Sequence, residues 1–135
     1  MTGRSLVADT HTILWYLAAD PRLSARAKIE FARVAAEGGS VFIPTMCIVE
    51  TTYLSEKARI RPGSLADLKM AVREPDSMFE LVPLTGEIAE NLSRIPRDMV
   101  PDMPDRVIAA TALTMRLPLV TRDGKIRASN IETIW

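Results

Sequence analysis

A chain of 135 residues with 47% hydrophobic and 25% charged residues has the make-up of one ordinary globular domain rather than a disordered or membrane-spanning segment. Its 17 basic and 17 acidic residues cancel, which argues against a general polyanion binder and is compatible with an oligomer or a standing partner. One cysteine, Cys47, and one histidine, His11, exclude an internal disulfide, a cysteine-pair zinc site, paired-imidazole catalysis and a multi-histidine metal cage.

Taken in order, the chain alternates short β-like runs with helical patterns. SLVAD (5–9) reads as a strand, followed by a helix from His11 to about Ala18 that Pro21 interrupts. Asp9 and His11 within this apolar stretch exclude a signal segment, and no apolar run reaches the ~18 residues of a membrane helix. With a single cysteine, this suggests a cytoplasmic protein. Ser24 can cap a second helix running toward Glu37 and stopped by Gly38-Gly39. VFIP (41–44) is the second strand, and Thr45 can cap a helix reaching about Arg59. Gly63-Ser64 opens another helix, with Asp67 at capping-box spacing from Ser64. FELVPL (79–84) is the third strand, and Thr85 starts a helix ending near Arg94. A loop with Pro96, Pro101 and Pro104 leads to a helix from about Pro104 to Arg116. LPLVT (117–121) and IETIW (131–135) complete a set of five strands.

Strands separated by helical crossovers predict a single α/β domain over residues 1–135, its parallel sheet covered on both faces. Ligands in such sheets bind beyond the carboxyl ends of the strands. Neither a GxGxxG turn nor a GxxxxGK[ST] loop is present, so nucleotide-binding readings lack their phosphate cradle.

Four acids fall where the sheet would open: Asp9 at the end of the first strand, Glu50 in the helix after the second, Asp105 in the first turn of the helix from Pro104, and Asp123 just past the fourth strand. Converging carboxylates repel unless protonated or neutralised, and a divalent cation with oxygen ligands, Mg²⁺ or Mn²⁺, is the natural neutraliser. Each acid also has a plain structural role open to it. Asp9 can cap the next helix, Asp105 can complement a helix dipole, and Asp123 before Gly124 suits a turn. Glu50 fits a structural role least, because Met46, Cys47, Tyr53 and Leu54 surround it on the helix surface. The conjunction of the four carries the inference.

Around them, His11 reads as a partly buried hydrogen-bonding group and Trp15, Tyr16 and Leu17 as core packing. Arg106, Arg122, Lys125 and Arg127 can hold phosphates or balance the acids. Thr121 can hydrogen-bond a carboxylate, and Asp98 and Asp102 read as loop acids, Asp102 near enough to reach a metal through water.

In DTHTILWYL (9–17), PDRVIAATAL (104–113) and LPLVTRDGKI (117–126), and less closely in IPTMCIVETTYL (43–54), the chain resembles the PIN-domain ribonucleases, specifically the VapC-type toxins of prokaryotic toxin–antitoxin pairs. The blocks occur in the family's order over nearly the whole length. Two positions depart from the pattern: Asp102-Met103-Pro104-Asp105 stands where Asp-Pro-x-Asp is frequent, and Met46 and Cys47 stand where small or hydroxylic residues are common.

The resemblance implies a three-layer α/β/α PIN-like fold and a metal-dependent endoribonuclease. By position, Asp9, Glu50, Asp105 and Asp123 match the family's acidic quartet, with Asp9 and Asp105 the most direct metal ligands and Thr121 a supporting hydroxyl. It further implies Mg²⁺ or Mn²⁺ as cofactor, RNA as substrate, a homodimer, and an antitoxin protein as partner. Two rivals stand beside this reading. One is a catalytically silent PIN-like module that binds RNA or protein. The other is a phospho-receiver-like signalling domain, which wants an accepting Asp after a central strand, whereas FELVPL ends without one.

Overall fold

A computed structural model describes residues 4–135. Its elements are β1 (Leu6–Ala8), α1 (Thr10–Leu17), α2 (Ala25–Glu37), β2 (Val41–Pro44), α3 (Thr45–Glu56), α4 (Ser64–Arg73), β3 (Phe79–Val82), α5 (Gly86–Asn91) running into a 3₁₀ turn (Leu92–Arg94), α6 (Met103–Met115), β4 (Leu119–Val120), α7 (Gly124–Arg127) and β5 (Thr133–Ile134).

The five strands form one sheet in the order β3-β2-β1-β4-β5, and every pairing is parallel. Successive residues of a strand face opposite sides of a sheet, yet Leu6, Val7 and Ala8 are all fully buried. Helices therefore cover both faces of β1, giving the three-layer α/β/α arrangement expected. The order also fixes where a site belongs. From β1 the chain builds outward through β2 to β3, then returns to the other side of β1 with β4 and β5. The switch point between β1 and β4 opens a crevice at the carboxyl ends of those strands. Thr12 Oγ1 and the Asp9 N–H both donate to the Val120 carbonyl, at 3.0 and 3.3 Å, and tie the two strand ends together there.

The element boundaries follow local chemistry, with some departures from the sequence pattern. Ser24 caps α2 by accepting from the Ala27 N–H at 3.0 Å, and Gly38, at φ 71°, closes it. Thr45 is not a cap: Pro44 precedes α3, Thr45 is already helical, and no side chain caps that end. The same helix stops at Glu56, short of Arg59, where Ala58 turns the chain at φ 53°. At α4 the cap position belongs to Gly63, φ 89°, and Ser64 is the first helical residue, its hydroxyl donating to the Arg61 carbonyl at 2.6 Å. Asp67 pairs with Arg61 at 2.8 Å instead of completing a capping box. β3, β4 and β5 are shorter than the apolar runs that contain them, and the single turn α7 lies in a stretch the hydrophobic pattern left unassigned.

The helix α6 is buried from Val107 through Ala112. A helix that is apolar all round belongs inside, and it packs between α3 and α5. Its rigidity sets the position of the acids at its N-terminus. Among the described residues, no helix is long and apolar enough to cross a membrane.

Candidate active site

The crevice at the switch point is a cleft of about 430 Å³ whose walls carry Asp9, Glu50, Asp102, Asp105 and Asp123. All four acids singled out from the sequence therefore reach one cavity, with Asp102 as a fifth.

Asp9 ends β1 and does two things at once. It caps α1 by accepting from the Thr12 N–H at 3.0 Å, and it accepts a hydrogen bond from the Thr121 hydroxyl. The structural and functional readings of this residue are thus not alternatives. Burial raises its carboxyl above the ordinary value, opposed by the hydrogen bonds from Thr12 and Thr121. Thr121 is fully buried, and while donating to Asp9 it accepts from the Asp123 N–H at 3.0 Å. One hydroxyl thus couples two acids across the switch point. Asp123 in turn caps α7, accepting from the Lys125 and Ile126 N–H groups at 2.8 and 3.4 Å.

Glu50 projects from the second turn of α3 and accepts from the Thr10 hydroxyl at 2.6 Å. It stands at the border of the core: Cys47 one turn back is buried and Tyr53 one turn ahead is exposed. Burial raises its carboxyl, with the Thr10 hydrogen bond working against the rise. The thiol of Cys47 lies beneath the cleft, directed at the Ala8 carbonyl at 3.8 Å, and burial pushes it up.

The tightest grouping is at the start of α6. Asp102 caps the helix by accepting from the Asp105 N–H at 3.2 Å, so both acids sit at the same helix end. Carboxylate oxygens of Glu50, Asp102 and Asp105 all lie within 4.8 Å of one another. Burial, then the charges of Asp102, Asp123 and Glu50, push the Asp105 carboxyl up to about 7. An all-oxygen, acidic set of this kind fits a hard divalent cation such as Mg²⁺ or Mn²⁺. Asp9 and Asp123 line the same cleft outside this three-residue grouping.

A family model described as PIN domain matches residues 6–130. The chain belongs to the PIN domain family. Among curated proteins no sequence matches it. The solved structures it is similar to include VapBC2 from Rickettsia felis bound to a DNA fragment from their promoter, at 12% identity and TM-score 0.72 over 97% of this chain and 98% of that one. A toxin–antitoxin complex from Klebsiella pneumoniae aligns at 21% identity and TM-score 0.65, covering 96% of each chain. VapC20 from Mycobacterium tuberculosis, described as a sarcin-ricin loop cleaving toxin, aligns at 16% identity and TM-score 0.64 over 93% and 95%. At these identities the likeness is one of fold.

The PIN domain also sets the phospho-receiver reading aside: FELVPL lies in an edge strand, not a central one, so no accepting carboxylate could sit at the sheet's middle beyond it. Other residues around the cleft differ from the sequence reading. Asp102 is a member of the acidic grouping rather than a peripheral loop acid, and its signal was the Asp-x-x-Asp spacing of a cap and the third helical residue. His11 is exposed on the cleft wall, with its ring 5.6 Å from that of Trp15, and is not a buried hydrogen-bonding group. Trp15 is core on one side and cleft wall on the other, with the guanidiniums of Arg22 and Arg122 at 4.9 and 5.5 Å from its ring. Arg106 does not line the cleft; it donates to the Leu92 and Ile95 carbonyls at 3.0 and 2.9 Å and pins the 3₁₀ turn to α6. Of the four cations considered, Arg122 lines the cleft, while Lys125 and Arg127 do not.

Proposed function

We propose that this PIN domain is a metal-dependent endoribonuclease and the toxin of a toxin–antitoxin pair. The observation that carries the proposal is Asp105, enclosed by three other acids at the switch point of the sheet. Helix capping accounts for Asp102 and Asp123 singly but not for three carboxylates around one half-buried carboxyl, whereas a cation-assisted phosphodiester hydrolase needs that arrangement.

Glu50, Asp102 and Asp105 would hold the cation, with Asp9 and Asp123 completing a set of five acids from the floor of the cleft. When bound, Mg²⁺ or Mn²⁺ would supply positive charge against the phosphate and the acidity that activates water. The protein's own part is positional. Thr121 fixes the rotamer of Asp9 and, through the Asp123 N–H, the start of α7. Thr10 fixes Glu50. Arg122 on the cleft wall offers a guanidinium to a phosphate oxygen that approaches the acids. This division of labour lets a chain with one histidine work as a nuclease.

Support for the biological setting comes from the structures it resembles, which include toxin–antitoxin complexes and a toxin described as cleaving the sarcin-ricin loop. On this reading the chain acts in the cytoplasm as a homodimer held in check by an antitoxin protein. The deciding experiment compares RNA cleavage by the wild type and Asp105→Asn in Mn²⁺, with folding checked by circular dichroism. Loss of cleavage in a folded variant supports the assignment, and full activity overturns it.

A further inference from the structure

The acidic cleft continues past its own rim. A second groove of about 330 Å³ adjoins it and shares His11, Trp15 and Arg22 as a common wall. Beyond that wall the balance of charge changes sign: the α3–α4 connection contributes Arg59 and Arg61, while the one acid lining the groove, Asp20, is paired with Arg22. Arg22 is held over the Trp15 ring by two hydrogen bonds to Asp20, at 3.1 and 2.8 Å. Arg61 pairs with Asp67 at 2.8 Å. Arg59 is exposed and forms no ion pair among the described residues.

We propose that this basic groove is the subsite for the single-stranded RNA flanking the bond to be cut, with Arg59 holding a phosphate and the Arg22 guanidinium, backed by the buried Trp15 ring, carrying a base. The proposal rests on the ribonuclease reading of the cleft. A phosphodiester held among the acids leaves its strand to continue in both directions, and each further phosphate is repelled by the same carboxylates. The adjoining groove removes that repulsion within one shared wall, so the strand need not leave the protein surface to find a cation. Guanidinium planes and aromatic faces are what unstacked bases settle on, and a base inside a duplex cannot reach them. The pairing of Arg22 and Arg61 orients those two side chains and partly spends their charge on Asp20 and Asp67. Arg59 is left as the dominant free charge. The strand is favoured over an acidic protein segment because the groove shares its wall with the hydrolytic cleft, so one strand can occupy both.

The test uses the full chain and a short fluorescein-labelled single-stranded RNA of mixed sequence, followed by anisotropy in Ca²⁺ across a salt series, with the same sequence as a duplex for comparison. Arg59→Ala is expected to weaken single-strand binding about tenfold, the loss of one charged hydrogen bond. It should also lower the salt slope by about 0.7, the share of one phosphate contact on a single strand. Arg59→Lys should recover most of the affinity, Arg26→Ala on the exposed face of α2 should change nothing, and Mn²⁺ affinity by calorimetry should be the same in Arg59→Ala as in the wild type. If the wild type binds and cuts RNA while Arg59→Ala retains its affinity and slope, the groove is off the RNA path and an acidic protein segment becomes its better occupant. Equal affinity for the duplex overturns the single-strand assignment. If the wild type binds no RNA, the ribonuclease reading itself fails and takes this subsite with it.

Discussion

The floor of the cleft and its mouth are built from the same residue type and treat it in opposite ways. On the floor, Asp9 has the Thr12 N–H and the Thr121 hydroxyl, Asp123 has two backbone N–H groups, and Glu50 at its edge has the Thr10 hydroxyl. Each negative charge there has a donor from the protein. At the mouth, Asp105 has acids for neighbours, and burial together with their charges raises its carboxyl to about 7. The fold supplies the partners on the floor; on the proposed reading, the mouth is completed by a cation. Donors on the floor offset part of the cost of burying Asp9 and Glu50, whose carboxyls burial still raises, whereas at the mouth the neighbouring acids add to that cost.

The largest expected effect separates the two regions by sign. Asp105→Asn should lower RNA cleavage by about a thousandfold or more while leaving the metal-free protein as stable as the wild type or more so, since one of several crowded charges is gone. Thermal melting in EDTA beside a cleavage assay in Mn²⁺ reads both quantities, and a strongly destabilised Asp105→Asn would break the distinction. The counterpart on the floor is Thr121→Val. It keeps the shape but removes the donor to Asp9 and the acceptor for the Asp123 N–H, so it should cost about 2–3 kcal/mol, measured by urea unfolding. A neutral Thr121→Val would mean that the floor is not held together as described.

A smaller effect tests where the mouth ends. Asp102→Asn retains a side-chain oxygen to accept from the Asp105 N–H, so the cap on α6 survives. What disappears is one charge from the grouping with Glu50 and Asp105. We expect Mn²⁺ affinity to fall about tenfold to a hundredfold by calorimetry with little change in melting temperature. Unchanged affinity would assign Asp102 to the cap alone.

The same contrast explains what could be read in the sequence. The three-layer fold was legible because apolar runs alternate with helical patterns, punctuated by signals such as the Ser24 cap and the Gly38 stop. The four acids were legible because strand ends in a parallel sheet share an edge. Asp102 was underweighted because a helix cap and a site acid look alike until α6 is placed, and here one residue is both. Trp15 was read as core, correctly for one face of the ring, while the cleft beside the other face exists only once Arg22 from the turn after α1 and Arg122 from beyond β4 come together over it. Arg106 illustrates the converse: its neighbour Asp105 faces the cleft, but one residue along a helix turns the side chain by about 100°. Adjacent residues therefore serve different sides, and the charge is spent on the Leu92 and Ile95 carbonyls. Strand lengths were overestimated because apolar runs such as LPLVT continue past the last paired residue.

The least dramatic prediction is the most diagnostic of the mouth, because it needs neither RNA nor a partner. Asp105 carries its proton to about pH 7 in the folded protein, but its ordinary value is 3.8. Between those values the folded state binds a proton that the unfolded chain has released, so the stability of the metal-free protein must fall as pH rises, and level off above about 7. Asp9 and Glu50, also raised by burial, contribute in the same direction. The melting temperature in EDTA should therefore decline from about pH 5 to about pH 7, and Asp105→Asn should flatten the decline. Mn²⁺ takes the deprotonated form, so its stabilising effect should grow over the same interval and its binding should release a proton. That release is measurable as a dependence of calorimetric heat on the buffer's ionisation enthalpy. A melting temperature in EDTA that is flat across this interval would mean that the mouth holds no trapped proton, and that its acids are spaced more widely in solution than a shared cation would require.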